Sequence, residues 1–323
     1  ADEIGKLAGL DLEALEKELE RQRIKRLVRN LFAPGATVQD KVDDLQKIGD
    51  SGSVARFAAL DIVKCLKDND KDVCISTLQA LGNLDNASEP VVQGILASLQ
   101  DEDPRVRFSA IYALGKLWNA SEPMVKVLLA SLEDEDSIVR FYAIEMLGNL
   151  ENASETVVQA LLALLQNKDS SVRYHAAEAL GNLGNASEPV IAALLALLQD
   201  DDREVRRSAV EALGKLGNAS EPVIAALLAL LQDDDRKVRR SAVEALGKLG
   251  NASETVVQAL LALLQDEIPR VSSSAVEVLG KLGNTSETVV QALLALLQHE
   301  DSEVRESAVK ALKKLGINSE LEK

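Results

Sequence analysis

Apolar residues recur along the chain in pairs of short segments, and each pair occupies 33 residues. In residues 86–118, the first segment places Val91 and Ile95 four residues apart within a longer stripe of the same spacing. This spacing puts side chains on one face of a helix. An acidic turn follows, and a second stripe of helical period extends from Val106 to Leu117. The pattern therefore predicts two antiparallel amphipathic helices per repeat.

The boundaries of the predicted helices coincide with residues typical of helix termini. Ser88 precedes the first helix and Asp103 the second, and both residue types are favoured N-caps. Gly115 is predicted to close the second helix. Asn-Ala-Ser-Glu-Pro or a close variant begins each unit, at Asn86, Asn119, Asn152, Asn185, Asn218, Asn251 and Asn284. Asn and Ser are expected to serve as turn and cap residues here, although the triplets are formal glycosylation sequons. The fixed period predicts units that stack on their neighbours.

Residues before the regular repeats predict a divergent first layer. A long amphipathic helix is expected from Asp11 to Phe32, followed by Ala-Pro-Gly. Thr37 and Asp40 have the spacing of a capping box for a partner helix that ends near Gly49. We expect three segments: 1–36 as a capping first element, 37–316 as the repeat array and 317–323 as a tail.

The repeated motif V-R-x-x-A-x-x-A-L-G-x-L after an acidic turn resembles HEAT repeats. The closest variety is the short bacterial HEAT-like type first noticed in phycobilisome lyases. The resemblance covers roughly residues 37–316. It implies an all-α fold, a right-handed α-solenoid of about nine stacked antiparallel helix pairs with a 33-residue period. It also implies that the second helices line the concave face.

Charge and cysteine content narrow the class of partner. The formal net charge is −16, and an acidic solenoid repels phosphate backbones, which argues against nucleic acid as a partner. No apolar run approaches the roughly 20 residues that span a bilayer, so no membrane association is expected. Cys65 and Cys74 are the two cysteines, so a reduced, cytoplasmic protein is favoured. The sequence leaves the oligomeric state open.

Aspartate and arginine recur together at the start of the second helix. The pairs are Asp103/Arg107, Asp136/Arg140, Asp169/Arg173, Asp202/Arg206, Asp235/Arg239 and Asp301/Arg305. One repeat loses both residues, with Ile268 and Ser272 in their places. An anion-binding row is one interpretation. We favour a structural ladder of bidentate hydrogen bonds between layers, as the resemblance to HEAT repeats implies.

Catalytic chemistry has little support in the sequence. His175 and His299 are the two histidines and lie far apart in sequence, so the His-Glu motifs of HEAT-like hydroxylases are absent. No Gly-rich phosphate loop and no Cys–His pairing occur. We therefore expect no enzyme activity, no catalytic residues, no metal and no cofactor. The acidic turns at 101–103 and 200–202 are interpreted as solvated caps.

Aromatic residues are the sharpest functional signal. The chain has eight, and none follows Tyr174. Phe108, Phe141 and Tyr174 share one position of the second helix, which later repeats fill with Arg, Ser or Glu. That position points away from the apolar stripe. The predicted partner-binding residues are Phe108, Tyr112, Phe141, Tyr142, Glu145, Tyr174 and His175.

These observations favour a non-enzymatic scaffold that binds a protein or peptide on the second-helix face. The acidic Glu145 and Glu178 suggest that the partner has a basic segment. Three alternatives remain. One is the sensor array of a larger bacterial signalling NTPase, and another is a bilin-lyase-like enzyme. The third is an engineered repeat scaffold, since blocks 185–217 and 218–250 differ only at Glu204 and Lys237.

Overall fold

A computed structural model describes residues 12–118, 122–151 and 153–317 of the chain. Within these ranges, all regular structure is helical. The predicted tail beyond residue 317 lies outside the described residues, as do Asn119 and Asn152 of the repeated sequence and the first 11 residues of the chain. Every helix in the described ranges is too short or too polar to cross a membrane.

The described ranges contain eighteen α-helices. They are α1 (Leu12–Leu31), α2 (Val38–Asp50), α3 (Ala59–Ile62), α4 (Lys71–Asn83), α5 (Glu89–Ser98), α6 (Pro104–Trp118), α7 (Glu122–Ser131), α8 (Ser137–Gly148), α9 (Glu155–Leu164), α10 (Ser170–Leu183), α11 (Glu188–Leu197), α12 (Arg203–Leu216), α13 (Glu221–Ala229), α14 (Arg236–Leu249), α15 (Glu254–Ala262), α16 (Pro269–Leu282), α17 (Glu287–Ala295) and α18 (Ser302–Lys314). Short 3₁₀ helices flank α3 at Gly52–Ala58 and Val63–Lys67, and others follow α13, α15 and α17. Odd-numbered helices from α5 onward are the first helices of their repeats, and even-numbered helices are the second helices.

Consecutive helix pairs form the layers of an all-α solenoid. The helices α1 and α2 make the divergent first layer, with Thr37 and Asp40 forming the predicted capping box. In the second layer, the 3₁₀–α3–3₁₀ segment takes the place of a continuous first helix beside α4. Seven regular pairs follow, which gives the nine layers expected from the repeat. The chain divides into two compact units, the first ending at Ala143 and the second beginning at Ile144, inside α8.

Glycines near the end of the second helices have a different role from the one predicted. They lie within the helices rather than after them, and they bring neighbouring second helices together. A Cβ added to Gly181 of α10 would lie 2.7 Å from the Cα of Ala212 in α12. The helices end instead at later glycines in the left-handed region, such as Gly184 with φ +69°, where a side chain is strained.

The Asn-Ala-Ser segment also differs in detail from the prediction. The N-cap residue Ser88 has extended backbone angles, but its side chain makes no capping hydrogen bond. The Asn86 side chain instead accepts a hydrogen bond from the Ser88 amide at 3.0 Å, and Asn185 does the same for Ser187. Asparagine therefore fixes the turn by an Asx-type bond, and serine occupies the cap position through its backbone.

The apolar stripe predicted along α1 is buried over only part of its length. Ile24, Leu27 and Leu31 are in the core. Leu15 and Leu19 are 50 % and 61 % exposed, because the described part of the first layer provides no neighbour for the beginning of α1. The stripe predicted from the sequence is therefore correct in period and too long in extent.

Candidate binding surface on the second helices

Arginines of the second helices join successive layers by paired hydrogen bonds. In α6, the Arg107 Nε and Nη2 donate to the two carboxylate oxygens of Asp134 at 2.8 and 2.7 Å. The Nη1 of the same arginine donates to the carbonyls of Asp101 and Glu102 at 2.9 and 3.1 Å. The Arg107 and Asp134 side chains are only 8 % and 13 % exposed. One guanidinium thus bonds the turn of its own layer and the turn of the next layer.

The carboxylate in each pair is not the one predicted from the sequence. The ladder runs between layers, as predicted, but the partner lies 27 residues after the arginine, two residues before the capping aspartate position of the next layer. The pairs are Arg107–Asp134, Arg173–Asp200, Arg206–Asp233 and Arg239–Asp266. The predicted partners Asp103, Asp136, Asp169, Asp202, Asp235 and Asp301 cap their own helices, each accepting from the amide two residues on. These aspartates can still accept from other arginines, since Asp103 bonds the Arg105 guanidinium at 2.7 Å and Asp235 bonds Arg203 at 3.2 Å.

Some layers depart from the arginine–aspartate pattern. Lys41 stands at the arginine position of the first layer and donates to Asp68 at 2.6 Å. Cys74 replaces the arginine in the next layer, and Lys71 donates to Asp101 instead, at 2.8 and 2.9 Å. Arg140 and Arg305 bond carbonyls of their own turns. The acidic turns that the sequence analysis interpreted as solvated caps therefore supply the ladder.

The arginines of the ladder lower the pKa of the aspartates that they bond. Burial alone would raise the pKa of Asp134, but the hydrogen bonds from Arg107 and the Asp136 amide, together with the charges of Arg107 and Arg140, outweigh burial and hold that pKa below its usual value. The same balance lowers the pKa of Asp200 beside Arg173. The carboxylates are thus ionised at neutral pH, and the guanidinium groups beside them are occupied. These bonds are those of a structural ladder and not of a row of arginines available to bind a free anion.

In the first unit, the predicted aromatic residues of α6 and α8 form a small cluster. The rings of Phe108 and Tyr142 have centroids 4.6 Å apart, and the Tyr112 and Tyr142 rings are 6.4 Å apart. The Lys116 ammonium lies 5.5 Å from the centroid of the Tyr112 ring. All three rings are half-buried, as is Phe141. The cluster therefore presents ring faces and edges to solvent without burying them in the core.

In the second unit, Tyr174 and His175 of α10 form a second aromatic site. Their rings meet edge to face with centroids 5.0 Å apart. The Arg207 guanidinium lies 5.6 Å from the centroid of the Tyr174 ring. These side chains line a cleft of about 270 Å³ together with Ser170, Ser171, Asp202 and Glu204. The structure thus brings Phe108, Tyr112 and Tyr142 together in one unit, and Tyr174 and His175 in the other.

The remaining predicted residues add negative charge. Glu145 is exposed on α8, and Glu178 is half-buried on α10. The Glu178 carboxylate lies 3.9 Å from the His175 Nδ1. Within the described residues, no group of three or more His, Cys, Asp or Glu side chains is placed to hold a metal ion.

A basic cleft farther along the second helices was not predicted. Its lining includes Arg207, Arg236, Lys237, Arg240 and Arg270. The signal in the sequence is the single difference between the two nearly identical blocks, which replaces Glu204 by Lys237.

Solved structures with similar folds are HEAT-type solenoids. The chain matches the structure of yeast importin-β, Kap95p, with a TM-score of 0.65 and 18 % identity over 90 % of this chain and 46 % of that one. It matches a structure of Kap95p with RanGDP with a TM-score of 0.69 and 18 % identity over 91 % and 46 %. YibA of E. coli matches with a TM-score of 0.60 and 20 % identity over 88 % and 99 %. The chain thus spans just under half the length of the Kap95p chains.

Sequence comparison gives the family. None of the curated proteins matches the chain in sequence. The sequence profile described as the adaptin N terminal region matches residues 44–323, which includes all of the regular repeats. Together with the stacked helix pairs and the inter-layer ladder, this match shows that the chain is a HEAT-repeat α-solenoid that belongs to the family of the adaptin N-terminal region.

Proposed function

We propose that this chain is a non-enzymatic interaction scaffold that binds a protein or peptide segment on the face formed by its second helices. The observation that carries the proposal is the half-buried aromatic cluster of Phe108, Tyr112 and Tyr142. At the Phe108 position of later repeats, Arg240 and Glu306 are exposed, whereas Ser273 is buried, so the position lies at the edge of the core. Aromatic side chains that keep ring surface at the solvent boundary supply large contact area at low entropic cost, which is typical of binding hot spots.

The type of fold supports the same proposal. A stack of repeats offers a long surface on which successive layers present equivalent side-chain positions. Kap95p, whose fold is similar, is bound to RanGDP in one of the matched structures. By analogy of fold, we infer that the partner here is also a protein. The acidic Glu145 and Glu178 on this face favour a partner with a basic residue opposite them.

A peptide selection on the full chain tests the proposal. Peptides would be selected from a random display library for binding to the chain, and their affinities measured by fluorescence anisotropy. The Phe108→Arg, Phe141→Arg, Tyr174→Ser variant borrows residue types that later repeats already use at this position. We expect it to bind the selected peptides at least about tenfold more weakly, a loss of about 1.4 kcal/mol.

The matched control is Phe32→Ser, Phe57→Ser. These aromatic side chains are 52 % and 37 % exposed and lie outside the second-helix position. The control should bind the selected peptides with unchanged affinity. Unchanged binding by the second-helix variant, or an equal loss in the control, would contradict the proposal.

A further inference from the structure

A cleft of about 570 Å³ crosses the second helices α12, α14 and α16 in the second unit. It is lined by five basic side chains and one carboxylate, together with Ser241, Ile268 and Val271. The charged residues are Arg207, Arg236, Lys237, Arg240, Arg270 and Glu211. The charged lining therefore has a formal net charge of +4 (five cations less one anion), in a chain whose net charge is −16.

Acidic neighbours neutralise only part of this charge. Arg207 forms ion pairs with Glu204 and Glu211 at 2.8 and 2.7 Å, so its charge is neutralised and its side chain is fixed at one side of the cleft. Glu204 also accepts from Lys237 at 3.2 Å. With the four acids that pair with the lining, Glu204, Glu211, Glu244 and Glu303, the formal net charge falls to +1 (five cations less four anions). The positive charge that faces solvent is carried by three arginines.

Those three arginines are largely open to solvent. Arg236 takes part in no ion pair within the described residues. Arg240 forms an ion pair with Glu244, with 3.1 Å between its Nε and the carboxylate, and is 44 % exposed. Arg270 is 73 % exposed, and its contact with Glu303 is a long one of 3.9 Å. Each guanidinium thus keeps donors that could grip a carboxylate in a bidentate bond.

The start of α16 adds to the positive potential. In α12 and α14, the aspartates at the N-cap place a carboxylate beside the first turn. In α16 the N-cap is Ile268, which makes no side-chain capping bond, and it lines the cleft. Loss of the capping carboxylate removes one negative charge beside the positive end of the helix dipole, next to Arg270.

From this cleft, we infer that the second unit binds an acidic peptide segment of a protein partner across α12, α14 and α16. The inference rests on the proposed function, because both place the partner on the second-helix face. It concerns a different part of that face, which is basic and therefore takes an acidic segment of the partner. Two inter-layer steps of roughly 10 Å accommodate about six extended residues at about 3.3 Å each.

The test uses the full chain and labelled peptides of equal length, rich in Asp and Glu, in Lys and Arg, or in Ser and Gly. Binding is measured by fluorescence anisotropy at several salt concentrations. We expect the acidic peptide alone to bind, with an affinity that falls as salt rises. Absence of binding by the acidic peptide, or equal binding of the neutral one, overturns the inference.

The variant Lys237→Glu, Arg240→Glu removes the charge with residues that the chain itself accepts at these positions, since Glu204 and Glu306 stand there in other repeats. It should weaken binding of the acidic peptide at least about tenfold. The control Lys64→Glu, Lys126→Glu makes the same change of net charge on exposed side chains of the first unit. An equal loss in the control would show a general charge effect and overturn the inference.

The two proposals fail separately in these experiments. Tyr174→Ser would remove the ring beside Arg207, so this comparison uses the variant Phe108→Arg, Phe141→Arg, whose two positions lie outside the lining of the basic cleft. If that variant keeps its selected peptides while the Lys237 and Arg240 variant loses the acidic peptide, the aromatic surface is wrong and the basic cleft stands. If the aromatic variant loses its selected peptides while the Lys237 and Arg240 variant keeps the acidic peptide, the inference about the basic cleft is wrong and the aromatic surface stands.

Discussion

The ladder predicts a specific energetic coupling between Arg239 and Asp266. The Arg239 Nε and Nη2 donate to the Asp266 carboxylate at 2.9 and 3.1 Å, and the two side chains are 11 % and 8 % exposed. Removing one partner of a fully buried pair costs about 3–5 kcal/mol, and an exposed pair is worth under about 1 kcal/mol. For this partly screened pair, we expect Asp266→Ala to lower the free energy of unfolding by about 2–3 kcal/mol.

A double-mutant cycle separates this pairing from the one suggested by the sequence. Arg239→Ala combined with Asp266→Ala should give a coupling energy of about 1.5–2 kcal/mol. The cycle with Asp235, which caps α14 by accepting from the Lys237 amide at 2.7 Å, should give a coupling below about 0.5 kcal/mol. Asp235→Ala alone should still cost about 1 kcal/mol as a lost cap.

Urea unfolding followed by circular dichroism gives these free energies for the full chain. Hydrogen exchange of the α14 and α16 amides provides a local readout, because a repeat array can unfold in parts. A coupling for Arg239 and Asp235 equal to or larger than that for Arg239 and Asp266 would refute the assignment of the ladder.

Three further predictions test local features. Gly181→Ala would place a Cβ 2.7 Å from the Ala212 Cα. We expect the variant to have a lower Tm and a free energy of unfolding lower by about 2 kcal/mol, although alanine gains about 1 kcal/mol in helix propensity. An unchanged or higher Tm contradicts this. Asn185→Ala should lower the free energy of urea unfolding by about 1 kcal/mol, because it removes the acceptor of the Ser187 amide. Ser187→Ala should lower it by less than about 0.5 kcal/mol, because the serine side chain makes no capping bond. The opposite order would refute the turn assignment. The pKa of Asp200 is lowered in the folded chain, so its contribution to stability is complete above the unfolded-state pKa of about 4 and is lost as the pH falls through the lower folded value. Thermal unfolding of Asp200→Asn between about pH 2 and 7 should therefore depend less on acid pH than that of the wild type, and equal dependence would count against the ladder.

Periodicity made most of the fold predictable. The apolar stripe through Val106 marks a second helix, and its recurrence every 33 residues requires that each copy pack in the same way. The number of layers and the capping box at Thr37 followed from the same reasoning. Local sequence rules suffice here because each layer contacts mainly its neighbours.

Contacts between layers were harder to infer than contacts within them. The prediction chose the recurring aspartates such as Asp235 for the ladder, whereas the fold places Asp266 of the next layer at Arg239. Gly181 resembles a helix terminator in sequence, and only the stacked helices show that its missing side chain is what the neighbouring Ala212 requires. A spacing of 27 residues between Arg and Asp was present in the sequence and could have revealed the ladder.

The candidate sites were predictable in part. The aromatic residues around Phe108 were found because an aromatic residue off the apolar stripe is conspicuous in a chain with so few. The basic cleft was missed because its residues come from three layers, and charged surface residues such as Arg236 are ordinary when considered singly. Their convergence depends on the stacking of α12, α14 and α16.

Hydrogen exchange of the full chain, alone and with a selected peptide bound, tests the central claim most directly. If the second helices form the binding face, amides of α6, α8 and α10 should exchange more slowly in the complex, and the first helices α5, α7 and α9 should change little. Protection confined to the first helices, with no change in the second helices, would contradict the account.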